Sequence, residues 1–356
     1  MCARSLTPRA AQRGPLRGSV VSAKRRHILS RVFGLSRYRP SNPGSIWLDD
    51  PKASRAIDGK LRSREITEAE AEHLRAFSEN GYFTIPIELS AEDAAAIDRD
   101  IDRLWRERPS NVSFAYDSPP RRFSEASSEL HRRPRSRIHD VHSASAVAMR
   151  LYLHPTLNRY ASLVLGEQAV ATQSLYFEHG SQQALHRDSI VVPTPQFGHL
   201  VAAWIALEDI DPASGPLAYV PESHRLPFYQ FRTGLPVYDP VHLSDADVRA
   251  AMDFYETERV QAKLSVKQFL ARRGEVFIWH SALMHGGAPP AKEQRTRKSL
   301  AVHYSTMSTH KTRETAVREI VAGADGESVY STSVVLKQNG ALGFANPLDG
   351  NLLYRR

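Results

Sequence analysis

A mainly β fold with flanking helices is the class this sequence predicts, an antiparallel sandwich or barrel preceded by helical segments. Three observations predict it. From Ala169 onward short apolar runs recur, at Ala169 to Phe177, Val201 to Leu207, Leu217 to Val220, Glu275 to Trp279 and Lys298 to Tyr304. Gly and Pro clusters separate them, the pattern of several short strands in series. The region before them shows helical spacing instead. The composition, 41% hydrophobic and 24% charged over 356 residues, is that of a globular chain able to enclose a buried chamber.

The elements follow in order. Thr67 and Glu70 have capping-box spacing, and Ala71, Leu74 and Phe77 give an apolar helical face that Asn80-Gly81 stops. Tyr82 to Ile87 reads as a short strand. Ser90 with Asp93 opens a second helix whose buried stripe is Ala94, Ile97, Ile101, Leu104 and Trp105, ended by Pro109. Residues 106–136 are polar, Arg-rich and proline-punctuated, and read as a loop covering a site or as a surface excursion. Helical spacing returns from Ser143 to Leu165 and Gly166 closes it. Within the strand region, Asp245 to Tyr255 is a helical insert. The expected organisation is a basic, disordered tail over 1–45 and one domain over 46–356. That domain has a helical part over 64–166, a β core over about 167–310 and a C-terminal extension over 311–356.

Charge sharpens this division. The net charge is +8, but residues 1–40 hold ten Arg or Lys and no acid, leaving 37 basic against 39 acidic residues in 41–356. The body therefore lacks the charge signature of nucleic-acid binding. The tail composition suits a disordered segment or an organelle transit peptide. Cys2 is the single cysteine, so no internal disulfide or CxxC zinc site can form, and a reducing, cytoplasmic setting is expected. No run approaches the roughly 20 apolar residues of a membrane-spanning helix.

The informative tripeptide is His186-Arg187-Asp188. On a strand, residues i and i+2 share a face, so one imidazole and one carboxylate converge. The third ligand must come from a distant strand, and His285, in Trp279-His-Ser-Ala-Leu-Met-His285-Gly-Gly, is the best candidate. Two His and one carboxylate occupy one face of an octahedron and leave three positions open, the pattern of non-heme iron(II) oxygenases. The competitors are His139 and His142, read as ordinary hydrogen-bonding residues; His280, a packed neighbour; and His303, a hydrogen-bonding residue. Arg297 lies twelve residues after His285 and opens an apolar strand, with Ser299 on its face. A guanidinium turned inward needs an anion, and its fork with a neighbouring hydroxyl suits the distal carboxylate of 2-oxoglutarate.

Four segments in order carry a family resemblance. They are His186-Arg-Asp188, Val201-Ala-Ala-Trp204-Ile-Ala-Leu-Glu208-Asp209, Gly215-Pro-Leu-Ala-Tyr-Val-Pro-Glu-Ser-His-Arg225 and Gly274-Glu-Val-Phe-Ile-Trp-His-Ser-Ala-Leu-Met-His285-Gly. From about Ile66 to Tyr304 the chain resembles the phytanoyl-CoA dioxygenase family of Fe(II)/2-oxoglutarate-dependent oxygenases. The resemblance implies a double-stranded β-helix, a jelly-roll, cupin-like barrel. It implies iron held by His186, Asp188 and His285, with 2-oxoglutarate anchored by Arg297 and dioxygen as the second co-substrate. Gln173 and Ser299 are position-based candidates for further co-substrate contacts. Two positions depart from the family pattern. Glu222 stands in the Pro-Gly-Ser-His turn, where its side chain disfavours a positive φ, and Glu275 replaces the Asp of a Gly-Asp pair.

The expected reaction is hydroxylation of a small organic molecule, because Asp188 occupies the position that related halogenating enzymes give to a small residue. Desaturation, epimerisation or ring formation would use the same cofactors. A non-catalytic binding protein of this fold is the alternative from another class, and would be expected to lack a ligand or the Arg.

Overall fold

Capping rules decide where the first helices begin and end. The computed structural model describes residues 46–109, 111–118, 122–125, 135–192, 194, 196–238, 242–291, 295–310, 317–319 and 334–345. The tail expected over 1–45 lies outside these residues. After a short turn at Trp47–Asp49, α1 runs Ala53–Arg62 and α2 Glu68–Asn80. Thr67 Oγ1 accepts from the Glu70 N–H at 3.2 Å, and the Glu70 carboxylate accepts from the Thr67 N–H at 2.9 Å. Such a cap contributes about 1 kcal/mol. Gly81, at φ 83°, ends the helix and β1 follows at Tyr82–Pro86. Ser90 caps α3, Ala91–Glu107, which buries Ile97, Ile101, Leu104 and Trp105 of the expected stripe and leaves Ala94 half-buried.

The polar stretch after α3 is more ordered than its sequence suggests. It contributes β2 (Ser113–Ser118), β3 (Arg122–Glu125) and β4 (Ser136–His139), with β2 pairing both others. The alternation is too short to stand out, although Phe114 and Ile138 are buried. Any covering role of 119–121 and 126–134 lies outside the described residues. The expected helix from Ser143 to Leu165 is two, α4 (Ala146–Tyr152) and α5 (Pro155–Leu165). Pro155 has no N–H to continue α4 and holds His154 extended at ψ 124°.

The remaining elements are β5 (Ala169–Phe177), α6 (Asp188–Val191), β6 (Val201–Ala206), β7 (Leu217–Tyr219), α7 (Asp245–Gln261), β8 (Lys267–Phe269), β9 (Glu275–His280), β10 (His285–Gly287), β11 (Ser299–Thr306), β12 (Val317–Glu319), β13 (Val334–Gln338) and β14 (Ala341–Ala345). They build two sheets. The larger follows the order β1-β9-β6-β11-β5-β14-β13-β12, with β4, β2 and β3 branching from β5, and the smaller follows β10-β7-β8.

This corrects the expected closed barrel: the described residues form two open, facing sheets with flanking helices. One edge of β5 pairs with β11 over its whole length, and the other is shared by β4 at Leu175 to Phe177 and β14 at Val170 and Ala171. No edge of β5 remains for the small sheet, whose strands have three residues each. Barrel closure needs a continuous backbone ladder, and among the described residues no strand of one sheet is laddered to a strand of the other.

Period-2 alternation gives the large sheet two different faces. Val201, Ala203 and Ile205, with Val276, Ile278, Leu300, Val302 and Tyr304, pack on the helices. Ala202, Trp204, Phe277, Trp279 and Ala301 turn to the small sheet, meeting Leu217, Tyr219 and Phe269. Because both faces are covered, β6 is buried at every position and shows no polar alternation. Each fully buried branched aliphatic contributes about 1.5–3 kcal/mol.

The turn containing Glu222 keeps the conformation in which glycine is favoured, at φ 67° and ψ −9°. An L-residue there costs about 1–2 kcal/mol. Glu222→Gly is therefore expected to stabilise the protein by about 1 kcal/mol, read as a rise in Tm. An unchanged or lower Tm would show that the Glu222 side chain compensates. The Gly274-Glu275 departure is mild as expected, since the Glu275 carboxylate accepts from the Arg272 N–H at 2.7 Å.

Candidate functional site

His186 and His285 face each other across an isolated bridge, each donating its backbone N–H to the other's carbonyl, at 2.9 and 3.0 Å. Arg187 is extended, at φ −117° and ψ 129°, so Asp188 returns to the side of His186. The alternation spans this one residue, because Asp188 already begins α6 rather than continuing a strand. One ligand atom from each of His186, Asp188 and His285 lies within 4.8 Å of the others, and all three residues are buried. Asp188 Oδ1 stands 3.7 Å from His186 Nε2 and 3.5 Å from His285 Nε2. Among the described residues no other group of His, Cys, Asp or Glu converges in this way.

Neighbours aim all three side chains. His186 Nδ1 lies 2.9 Å from the Ala184 carbonyl and His285 Nδ1 3.0 Å from that of Leu283. A carbonyl only accepts, so each Nδ1 carries the proton and each Nε2 presents its lone pair to the common point. Trp279 Nε1 donates to Asp188 Oδ2 at 2.9 Å, leaving Oδ1 facing the imidazoles. Burial pushes His285 down to about 4, which keeps its ring neutral. Burial opposes charge on Asp188, but its carboxyl is held well below the usual range by the polar groups around it, the Trp279 N–H on Oδ2 among them. Two neutral imidazoles and a carboxylate, with no thiolate, suit Fe(II).

Arg297 and Ser299 lie on the same side of the large sheet as this cluster. The Arg297 guanidinium is 2% exposed and stacks 5.7 Å from the Trp204 ring. Nη1 donates to the Gly215 carbonyl at 3.1 Å, while Nε is buried without a hydrogen-bond partner. No acidic side chain among the described residues pairs with it, and burial alone pushes its pKa down to about 10. Ser299 Oγ is likewise buried without a partner. Gly180, at φ 76°, makes room for this group, since a Cβ there would lie 2.7 Å from Arg297 Nε. Gln173 is engaged elsewhere, its Nε2 lying 2.9 Å from His303 Nδ1.

Two of the competing histidines, His280 and His142, stand apart. His280 points to the helical side, with Nε2 3.2 Å from Asp49 Oδ1 and its ring against Phe77. His142 bonds Ser174 Oγ at 2.7 Å and the Phe344 carbonyl at 3.0 Å. His303 does hydrogen-bond, as its mid-strand place suggested.

Three residues escaped the sequence reading. Trp279 holds Asp188. Arg137, buried on β4 opposite Phe177, sits with its guanidinium 5.8 Å from that ring. Arg187, fully buried between the Tyr255 and Phe228 rings, donates to the Ser223, Leu226 and Pro227 carbonyls. It ties the ligand segment to the 226–261 insert. The signal for Trp279 was parity: it shares the inward face of β9 with Phe277.

Among the described residues no helix is long and apolar enough to cross a membrane. The sequence model of the family described as Phytanoyl-CoA dioxygenase (PhyH) matches residues 77–299. Peroxisomal phytanoyl-CoA dioxygenase from Bos taurus is 21% identical over 257 residues, covering 70% of this chain and 72% of that protein. The Rattus norvegicus protein is 22% identical over 256 residues, covering 66% and 68%. Among solved structures, EctD from S. alaskensis with 2-oxoglutarate and 5-hydroxyectoine is 18% identical with a TM-score of 0.49, covering 68% of this chain and 77% of that one. The family match encloses all three converging side chains as well as Arg297. The chain therefore belongs to the phytanoyl-CoA dioxygenase family and is an Fe(II)/2-oxoglutarate-dependent enzyme.

Proposed function

We propose that the enzyme hydroxylates an unactivated C–H bond of a small organic molecule while 2-oxoglutarate is converted to succinate and carbon dioxide. One observation supports this above the rest. A His/Asp/His cluster and a buried guanidinium without an acidic partner among the described residues lie on one sheet face, so that face offers a cation site and an anion site.

In this reading His186, Asp188 and His285 hold Fe(II), and Arg297 with Ser299 receives the distal carboxylate of 2-oxoglutarate. Both have a donor atom left unused by the protein, Arg297 Nε and Ser299 Oγ. When bound, iron and 2-oxoglutarate supply the dioxygen-activating chemistry. The chain supplies geometry: the Ala184 and Leu283 carbonyls fix the two imidazoles and Trp279 fixes the carboxylate. Trp204 and Phe277 supply buried apolar surface on the same sheet face. Asp188, filling the third ligand position, favours hydroxylation over halogenation.

Succinate formation dependent on Fe(II), 2-oxoglutarate and dioxygen, together with a product heavier by one oxygen atom, is the expected result. A folded protein that binds neither iron nor 2-oxoglutarate would overturn the proposal. Gly180→Ala gives a narrower test. Its Cβ displaces the guanidinium and its φ is strained, together about 1–3 kcal/mol. The KM for 2-oxoglutarate is expected to rise about tenfold or more with Fe(II) affinity unchanged. An unaltered KM would remove Arg297 from the co-substrate site.

A further inference from the structure

Trp279 is not the only N–H-bearing ring beside Asp188. On the inward face of β11, His303 lies with Nε2 3.4 Å from Asp188 Oδ2, the oxygen that already accepts from Trp279 Nε1 at 2.9 Å. His303 is 3% exposed. Its other nitrogen, Nδ1, lies 2.9 Å from Gln173 Nε2, on the neighbouring strand β5 and in register with it. An amide nitrogen only donates, so Nδ1 accepts and the ring proton resides on Nε2. That turns an N–H toward the carboxylate across 3.4 Å, a charge–dipole contact rather than a formed hydrogen bond, since Nε2 is buried with no hydrogen-bond partner in the protein. The opposite tautomer would set a lone pair against an anionic oxygen in a buried site, which is unfavourable.

We propose that His303 is a positioning residue for the metal carboxylate, with its tautomer set by Gln173. In the series Gln173, His303, Asp188 the Nε2 N–H faces Oδ2 at 3.4 Å, beside the hydrogen bond that Trp279 gives the same oxygen, and it would close on Oδ2 once Oδ1 is drawn to a metal. Asp188 is then restricted to offering Oδ1 alone, between His186 and His285. A carboxylate free to turn would present both oxygens and take a second coordination position, one of those needed for co-substrates. This assigns Gln173 to the support of Asp188 rather than to 2-oxoglutarate. The inference rests on the triad as the metal site.

The test is metal binding by the full chain, separate from turnover. Removal of an outer hydrogen-bond partner of a metal ligand weakens metal affinity by about 10- to 100-fold. His303→Phe, which keeps the ring shape and removes the donor, is expected to weaken anaerobic Fe(II) binding within that range. His303→Gln, whose amide can donate from nearly the same place, should recover most of it. Gln173→Leu should weaken binding in the His303 background but have no further effect beside His303→Phe, because two residues in one series are not additive. Co(II) bound in place of iron reports coordination number in its absorption spectrum. His303→Gln should leave that spectrum unchanged, whereas a changed coordination number would make His303 a ligand and overturn the proposal. Affinity within twofold of wild type in His303→Phe would overturn it as well. If His303→Phe fails to fold, His303→Gln and Gln173→Leu carry the same comparison, with Gln173→Leu at wild-type affinity as the overturning result. A wild-type chain that takes up no Fe(II) would instead remove the triad assignment itself.

Discussion

His186→Ala is expected to abolish stoichiometric Fe(II) binding and reduce succinate formation to background. Loss of an outer partner alone weakens metal affinity by about 10- to 100-fold, so loss of one of three ligands should exceed a hundredfold. The fold should survive. The bridge between His186 and His285 is made by backbone N–H and carbonyl groups that alanine retains. The Nδ1 bond lost with the side chain is a short local one to Ala184. His280→Ala is the matched control. It removes a buried histidine five residues from His285 and breaks the contact with Asp49, so it should lower Tm. Its ring lies on the opposite face of the sheet, so Fe(II) binding should stay at the wild-type level. Equilibrium dialysis under anaerobic conditions distinguishes the two. Wild-type iron affinity in His186→Ala, or lost iron in His280→Ala, would reverse the choice of ligands.

The ligands were legible because few sequence patterns bring an imidazole and a carboxylate together at i and i+2, and a single extended residue, Arg187, is enough to realise that pattern. Helix ends were legible for a similar reason: Thr67, Ser90 and Gly166 act on their own neighbours. Sheet closure was not. Whether β5 offers an edge to the small sheet depends on β4 and β14, which come from 30 residues before it and 170 after it, and neither has a long apolar run. Pairing at that separation leaves no local trace. His303 marks an intermediate case. Arg297, Ser299, Ala301 and His303 share one parity, so the inward direction of His303 follows from the same reasoning that turned Arg297 inward. Its neighbour does not, because Asp188 comes to it from a helix start more than a hundred residues earlier.

Arg297→Ala is expected to separate co-substrate binding from metal binding. A hydrogen bond to a charged group contributes about 1.5–3 kcal/mol, so the KM for 2-oxoglutarate should rise by about 10- to 100-fold while Fe(II) affinity holds. A second consequence follows from burial. The guanidinium is enclosed with one hydrogen bond to Gly215, a free Nε and no acidic partner among the described residues. Uncompensated charge of this kind destabilises the empty protein. A dicarboxylate that binds the folded state alone should relieve it, giving about 2.7 kcal/mol at a concentration one hundred times its Kd. Wild-type protein should therefore show a clear rise in Tm with 2-oxoglutarate, and Arg297→Ala should lose most of that rise. Arg297→Lys should also lose most of it, because an ammonium cannot reproduce the fork of a guanidinium. Succinic semialdehyde, which lacks the 2-oxo acid end and keeps one carboxylate, should give a smaller rise that also depends on Arg297. An equal rise in Tm for wild type and Arg297→Ala would place the co-substrate carboxylate elsewhere and leave the buried guanidinium with a structural role.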